Sequence, residues 1–260
     1  MEVAICVKPV PDYDMVPAKE WQAVQGGHPD ISYVRDCFGC FDETALELAL
    51  RLKEQDPSVE LRVVSVGEPT GLLKGLYAVG FSQVTALLPA EGRTELDFQP
   101  EWTAEYLASY FRQNPAELIL CGRQTGPGDS GMVPYFLAER LGVRCAPGVV
   151  QLKACGSSEE SLIQAVCVDG TIRGLSRGTV AILDNVPDCF LRLPTLKEKI
   201  SAKTREILIQ TEKRSGLQKG NATVLERLEA LPRREKCRFL EGTVEEQAAG
   251  FLAWLRESCN

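Results

Sequence analysis

Apolar and polar positions along the first two thirds of the chain alternate between two periods. Val3 to Val7, Leu61 to Val66, Val84 to Leu88 and Leu118 to Cys121 are short apolar runs, which predict buried strands of a parallel sheet. Between them lie stretches with helical spacing. Glu43 to Gln55 carries leucine or alanine at 45, 46, 48, 49, 50 and 52, a stripe broad enough to pack on a sheet, and residues 70 to 79 and 101 to 113 read the same way. This order predicts an α/β fold, a doubly wound and mostly parallel Rossmann-like sheet covered on both faces. Residues 9 to 41, with Pro9, Pro11, Pro17 and Pro29, read as one long connection, and a loop of that length in a compact domain is usually functional.

The pattern changes after residue 143. Gly148 to Leu152 and Leu162 to Asp169 are β-like stretches around a polar turn, and Thr179 to Asp184 is a further apolar strand. Beyond Leu193-Pro194 the chain becomes charged, with Lys197, Lys199, Lys203, Arg205 and Lys213, until an amphipathic helix at Val244 to Leu255. The predicted division is a nucleotide-binding domain over 1–192 and a C-terminal arm over 193–260. That arm is either a solvated connector or a wrap for a partner subunit, helped by Phe251, Leu252, Trp254 and Leu255.

The most informative segment is Glu117 to Gly142, which reads as strand, glycine-rich loop and helix. Gly122 ends the strand. Gly126, Gly128 and Gly131 allow the backbone close to a ligand, and Ser130 is placed to cap the following helix. Backbone N–H groups at such a helix start attract phosphate. Gly126 to Gly131 also spells G-x-G-x-x-G, but that fingerprint belongs in the first βα turn with an acid about 20 residues on. Here it follows the fourth strand, and Val149-Val150-Gln151 offers no acid. In parallel sheets ligands collect outside the carboxyl ends of the strands, here Cys6-Val7-Lys8, Val66-Gly67 and Gly122-Arg123-Gln124.

Composition removes several classes. A net charge of -7 and a pI near 5.0 argue against a general nucleic-acid or anionic-membrane surface. No run approaches the roughly 18 apolar residues of a membrane span, and Val3 to Val7 is too short for a signal peptide, so a cytoplasmic protein without membrane insertion is expected. The single histidine, His28, lies in a turn-like Gly26-Gly27-His28-Pro29, which disfavours a Ser-His-Asp triad and a His-rich metal site. Most of the ten cysteines sit in apolar strand-like runs, as small hydrophobes. Cys37 and Cys40 form one C-x-x-C without a second pair or a nearby histidine, so no metal site is expected; a redox dithiol is the alternative. There is no Gly-Lys-Ser/Thr for ATP hydrolysis. An NAD-dependent oxidoreductase and an adenine-nucleotide-binding regulatory module stay open as alternatives, the latter usually complete near ~150 residues.

Four segments in order, VAICVKPVPD at 3 to 12, CFDETALELALRLKE at 40 to 54, VVSVG at 63 to 67 and LCGRQTGPGDSGMVPYFLAERLG at 120 to 142, resemble the β subunit of electron transfer flavoprotein. The resemblance implies pairing with an α subunit that carries FAD. The pair would shuttle electrons from a flavin-dependent dehydrogenase to a downstream acceptor, so that the chain is an electron-carrier subunit with no catalytic residue of its own. It implies AMP, or a second FAD, bound by this chain. By position the nucleotide contacts would be Cys6, Gly39, Cys40, Phe41, Asp42, Val66, Gly122, Arg123, Gln124, Thr125, Gly126, Pro127, Gly128, Asp129, Ser130, Gly131, Met132 and Val133. Phe41 and Tyr13 match aromatic positions near the α-subunit flavin, and Leu193 matches a leucine on the loop that docks dehydrogenases. The chain departs from the family where Gly39-Cys40-Phe41 replaces Asn-Pro-Phe and where Pro127 and Met132 replace an aspartate and a glutamine.

Overall fold

The computed structural model describes residues 1–23, 30–90, 96–126, 128–155, 163–213 and 239–258. In chain order these form β1 (Glu2–Cys6), β2 (Pro9–Pro11), α1 (Ala18–Ala23), β3 (Asp36–Phe38), α2 (Cys40–Gln55), β4 (Glu60–Val66) and α3 (Gly71–Val79). There follow β5 (Gln83–Pro89), α4 (Pro100–Gln113), β6 (Leu118–Gly122), α5 (Val133–Leu141), β7 (Cys145–Ala154), β8 (Ile163–Cys167) and β9 (Ile172–Leu175). The last elements are β10 (Thr179–Leu183), α6 (Leu196–Ala202), β11 (Leu208–Glu212) and α7 (Val244–Ser258).

Nine strands make one sheet in the order β11-β5-β4-β1-β6-β10-β7-β8-β9. From β11 to β7 every pairing is parallel; β8 and β9 are antiparallel additions at the far edge. The expected α/β class and mostly parallel sheet are therefore what the chain forms. Strand alternation sorts the core into two layers. Val3, Ile5 and Val7 of the β1 run, with Leu118 and Leu120 of β6, pack with α2 and α3 on one face. Ala4 and Cys6, with Ile119 and Cys121, pack with α4 and α5 on the other.

Local chemistry explains the helix boundaries. Thr70 caps α3 by accepting the Leu73 N–H at 3.3 Å, and Gly80 ends it in the left-handed conformation. Glu105, buried on α4, takes Arg140 of α5 at 2.9 Å and Arg112 at 3.3 Å, which ties the two helices of that layer together.

Two expectations need correction. The connection at 9 to 41 is not one long loop, because β2 and β3 pair antiparallel, Val10 opposite Cys37, into a small ribbon beside the sheet. Its apolar anchors, Val10 and Phe38, are both buried, which supplies the burial that a proline-rich reading hid. Ser130 does not cap the helix after the glycine-rich loop. That helix starts at Val133 with Met132 at the cap position and no side-chain cap, while Ser130 Oγ accepts the Met132 N–H at 3.3 Å in the turn before it. Pro134 at the second helical position explains the late start, since a proline there sacrifices no hydrogen bond of the helix. Part of the segment beyond 193 lies in the sheet: β11 pairs with β5 through Leu208 opposite Thr85 to Glu212 opposite Pro89. Among the described residues no helix is long and apolar enough to cross a membrane.

Candidate functional site

From β1 the chain steps outward to β4 and β5, then returns to add β6 on the other side of β1. The reversal leaves a crevice at the carboxyl ends of β1 and β6, where α/β sheets bind ligands. A cleft of about 790 Å³, its open mouth included, occupies this point.

Cys6 and Cys121, partners in the β1 and β6 register, line the cleft. The hydrogen bond between them, followed by burial, pushes the Cys121 thiol up, so Cys121 is a packed thiol at neutral pH. Val64 and Val66 of β4, Thr103 and Leu107 of α4, and Val133 and Pro134 of α5 form the walls.

Asp42, in the first turn of α2, is buried and lines the same cleft. One carboxylate oxygen accepts the Lys8 backbone N–H at 3.0 Å and the Thr125 hydroxyl at 3.0 Å. Burial raises its pKa to about 7 despite these two bonds and the nearby Lys8 charge. Asp42 is therefore a carboxyl group that changes protonation near neutrality at the wall of the cleft.

The glycine-rich loop closes one side. Gly128, Asp129 and Gly131 all have positive φ, at 91°, 34° and 66°, so the backbone turns through the left-handed region just ahead of α5, and Asp129, Ser130 and Gly131 line the cleft. Gln124 donates to Asp129 at 3.0 Å, which steadies the non-glycine residue in this unusual conformation. Gly128 has a second constraint: a β-carbon there would lie 1.6 Å from the Asp97 carbonyl oxygen. The 96–100 segment thus rests directly on the loop. Across the mouth Lys8 Nζ meets Asp97 at 2.8 Å.

The expected nucleotide-contact residues separate into two groups. Cys6, Asp42, Val66, Gly122, Arg123, Gln124, Thr125, Asp129, Ser130, Gly131 and Val133 line the cleft. Gly39, Cys40, Phe41, Gly126, Gly128 and Met132 stand around it. Gly39 precedes α2 against Thr125, Cys40 is exposed at the helix start, and Met132 is exposed at the start of α5. Phe41 lies under the Arg123 guanidinium, 4.6 Å from ring centre to charge, and Arg123 also pairs with Asp184 at 3.2 Å. Pro127 lies outside the described residues, as do His28, Cys237 and Cys259. Tyr13 sits 5.8 Å from the Trp21 ring; burial and then the charge of Asp97 raise its pKa, which puts it near the cleft mouth. Leu193 is 91% exposed, well away from the cleft residues in sequence.

Leu96, Asp97, Pro100, Thr103 and Leu107 were not expected at the site. They follow β5, which runs parallel to β4 and so ends at this side of the sheet. The Cys37 and Cys40 pair spans the junction of β3 and α2. Burial and then Asp12, Glu43, Asp36 and Asp14 push the Cys37 thiol up, the reverse of what a reactive dithiol needs. Among the described residues no three His, Cys, Asp or Glu side chains converge as a metal site.

Comparison with known proteins agrees with this geometry. Residues 34–170, just over half of the chain, match the family model described as electron transfer flavoprotein domain. The chain is 36% identical over 149 residues to Escherichia coli (strain K12) YgcR, whose name refers to an electron transfer flavoprotein subunit, covering 56% of each chain. It is 29% identical over 216 residues to an electron transfer flavoprotein subunit beta of Megasphaera elsdenii, covering 80% of this chain and 77% of the relative. A subunit beta from Bradyrhizobium diazoefficiens is 31% identical over 159 residues, with 60% and 61% covered. The chain thus spans little more than half the length of two of these relatives. With a matching domain that contains α2, the glycine-rich loop and most of the cleft, the chain belongs to the electron transfer flavoprotein family.

Proposed function

We propose that this chain is the β-type subunit of an electron transfer flavoprotein, holding an adenine nucleotide in the cleft between β1 and β6. The observation that carries the reading is the loop at 128–131, with three positive φ values, lining the cleft at the carboxyl ends of β1 and β6 in a chain of this family. Its N–H groups and the α5 N-terminus suit a phosphate. Val64, Val66 and Leu107 supply apolar surface for a ring system, and Asp42 supplies a polar anchor beside it.

The nucleotide is AMP or a second FAD. FAD would supply electron-accepting chemistry; AMP would be structural. This chain's residues bind, orient and exclude water, consistent with a carrier whose cofactor does the chemistry. Phe41, stacked under Arg123, and Tyr13 form the face toward an FAD held by an α subunit. The C-terminal arm, apart from β11 in the sheet, packs on that subunit. Within it α7 exposes Phe251, Leu252 and Trp254, with the Phe251 and Trp254 rings stacked at 5.9 Å. Exposed apolar area of this kind is typical of a subunit contact. Leu193 docks the flavin-dependent dehydrogenase that donates electrons. A cytoplasmic setting fits the cysteines embedded in apolar strands.

The test is to purify the chain with its co-expressed α partner, denature the complex and identify the released nucleotides by chromatography and mass spectrometry. FAD and AMP in equal amounts indicate a single-flavin carrier. FAD alone, twice as much per heterodimer, assigns a second redox centre to this cleft. NAD, or a stable lone chain without nucleotide, overturns the proposal.

A further inference from the structure

The segment between β10 and α6 runs across the outside of α2 and is fastened to it at several points. The Thr44 hydroxyl accepts the Val186 N–H at 3.4 Å, and Cys189 is buried below the segment. Glu47, 4% exposed in the second turn of α2, accepts the Arg192 backbone N–H at 3.3 Å and its Nε at 3.1 Å. Its other oxygen accepts Arg192 Nη2 at 2.9 Å and Arg51 Nε at 3.0 Å. Arg192 Nη1 bonds Glu54, one turn or more further along the helix.

The next residue behaves in the opposite way. Leu193 is 91% exposed, and Phe190, Leu196 and Ile200 are exposed around it. Pro194 restricts the backbone after it. Thr195 and Glu198 then form a reciprocal capping box that starts α6. An exposed apolar side chain thus stands between a bidentate arginine clamp and a capped helix. Surface apolar residues normally gain nothing from such fastening. A contact residue does, because rotamer and backbone freedom lost before binding need not be lost during it.

We infer that Arg192 is a positioning residue, whose bidentate clamp on Glu47 and whose bond to Glu54 hold Leu193 and its apolar neighbours in a fixed docking pose. Arginine is required for this arrangement. A lysine has a single ammonium and cannot satisfy both oxygens of Glu47 in one plane while reaching Glu54. Because Glu47 and Asp42 lie on the same helix, the docking segment and the nucleotide cleft are referenced to one rigid element. The inference rests on the proposed docking role of Leu193, but the clamp itself can be tested apart from it.

The experiment is hydrogen–deuterium exchange with mass spectrometry on the full chain, comparing wild type, Arg192→Ala and Arg192→Lys. Arg192→Ala is expected to speed exchange in peptides covering 189–196 by about tenfold, with α2 and β10 unchanged, since local openings are independent of global stability. Arg192→Lys is expected to fall between. Unchanged exchange over 189–196 overturns the inference, and so does an equal acceleration through α2 and β10, which would make Arg192 a general support of the fold. If Arg192→Ala does not fold, Glu54→Gln removes only the exposed half of the clamp and is expected to speed the same peptides about threefold; no change there overturns it. Leu193→Ala leaves exchange at 185–192 as in wild type, so loss of dehydrogenase docking in that variant reports on the docking reading alone.

Discussion

Asp42 and Gly122 are packed with no room for a methyl group between them. A β-carbon on Gly122 would lie 2.3 Å from Asp42 Oδ1 and 3.0 Å from the Asp42 backbone nitrogen. The end of β6 therefore supports the first turn of α2, and the cleft takes its shape from that contact. Gly122→Ala is expected to push the α2 N-terminus outward and destabilise the chain by roughly 1–3 kcal/mol, the usual cost of overpacking. Denaturant midpoints measure the destabilisation, and the nucleotide content of the purified complex, which should fall, reports the displaced helix end. A Gly122→Ala chain with wild-type stability would mean that α2 shifts at no cost.

The raised pKa of Asp42 makes stability depend on pH. Its folded value, about 7, lies above the ordinary carboxylate value of 3.8, so between these limits the folded chain holds a proton that the unfolded chain has released. Stability then falls as pH rises from about 4 to about 7 and stays reduced above that, the reverse of a salt-bridged carboxylate. Asp42→Asn keeps an acceptor for Lys8 and Thr125 and removes the charge. It is expected to flatten this slope, matching wild type at about pH 5 and exceeding it in urea midpoint at about pH 8. Equal slopes in the two chains would show that Asp42 is solvated when charged.

At Gly128 two restraints coincide, φ of 91° and a β-carbon position 1.6 Å from the Asp97 carbonyl oxygen. Any side chain there strains the loop by about 1–2 kcal/mol and must also push back the 96–100 segment. Gly128→Val, alone or with a bulky residue at Ser130, is expected to abolish nucleotide retention while leaving secondary structure intact by circular dichroism. Full retention in the double variant would remove the loop from the binding site.

The sheet was legible because its central strands are continuous apolar runs, which a parallel sheet buried on both faces requires. Gly122 and the glycine-rich loop could be brought together from strand ends alone, by the rule that ligands sit at carboxyl edges, whereas Asp42, in the first turn of α2, was reached only through the family resemblance. The ribbon of β2 and β3 was hidden because Pro9 and Pro11 flank a single buried valine, a pattern that resembles a loop. Strand β11 was hidden for a different reason. At this sheet edge Leu208 and Ile209 are exposed, so its sequence lacks the burial signature that marked the other strands. Asp97 was missed because nothing local distinguishes it; its place at the cleft mouth comes from the path of the β5 to α4 connection against Gly128.

Leu193 offers the clearest separation of stability from function. At 91% exposure it contributes almost no buried area, so Leu193→Asp should change stability by less than about 0.5 kcal/mol. A docking leucine, in contrast, loses its apolar contact and brings an unpaired charge into a desolvated interface. A truncated hot-spot residue costs on the order of 2 kcal/mol or more of binding, which is about thirtyfold in affinity. The check is the rate at which the complex accepts electrons from its dehydrogenase over a range of donor concentrations. The expected outcome is a raised KM for the donor with the thermal midpoint and bound nucleotide unchanged. A variant that transfers electrons as wild type does would assign docking to another surface, and Phe190 and Leu196, exposed on the same segment, would be the next residues to replace.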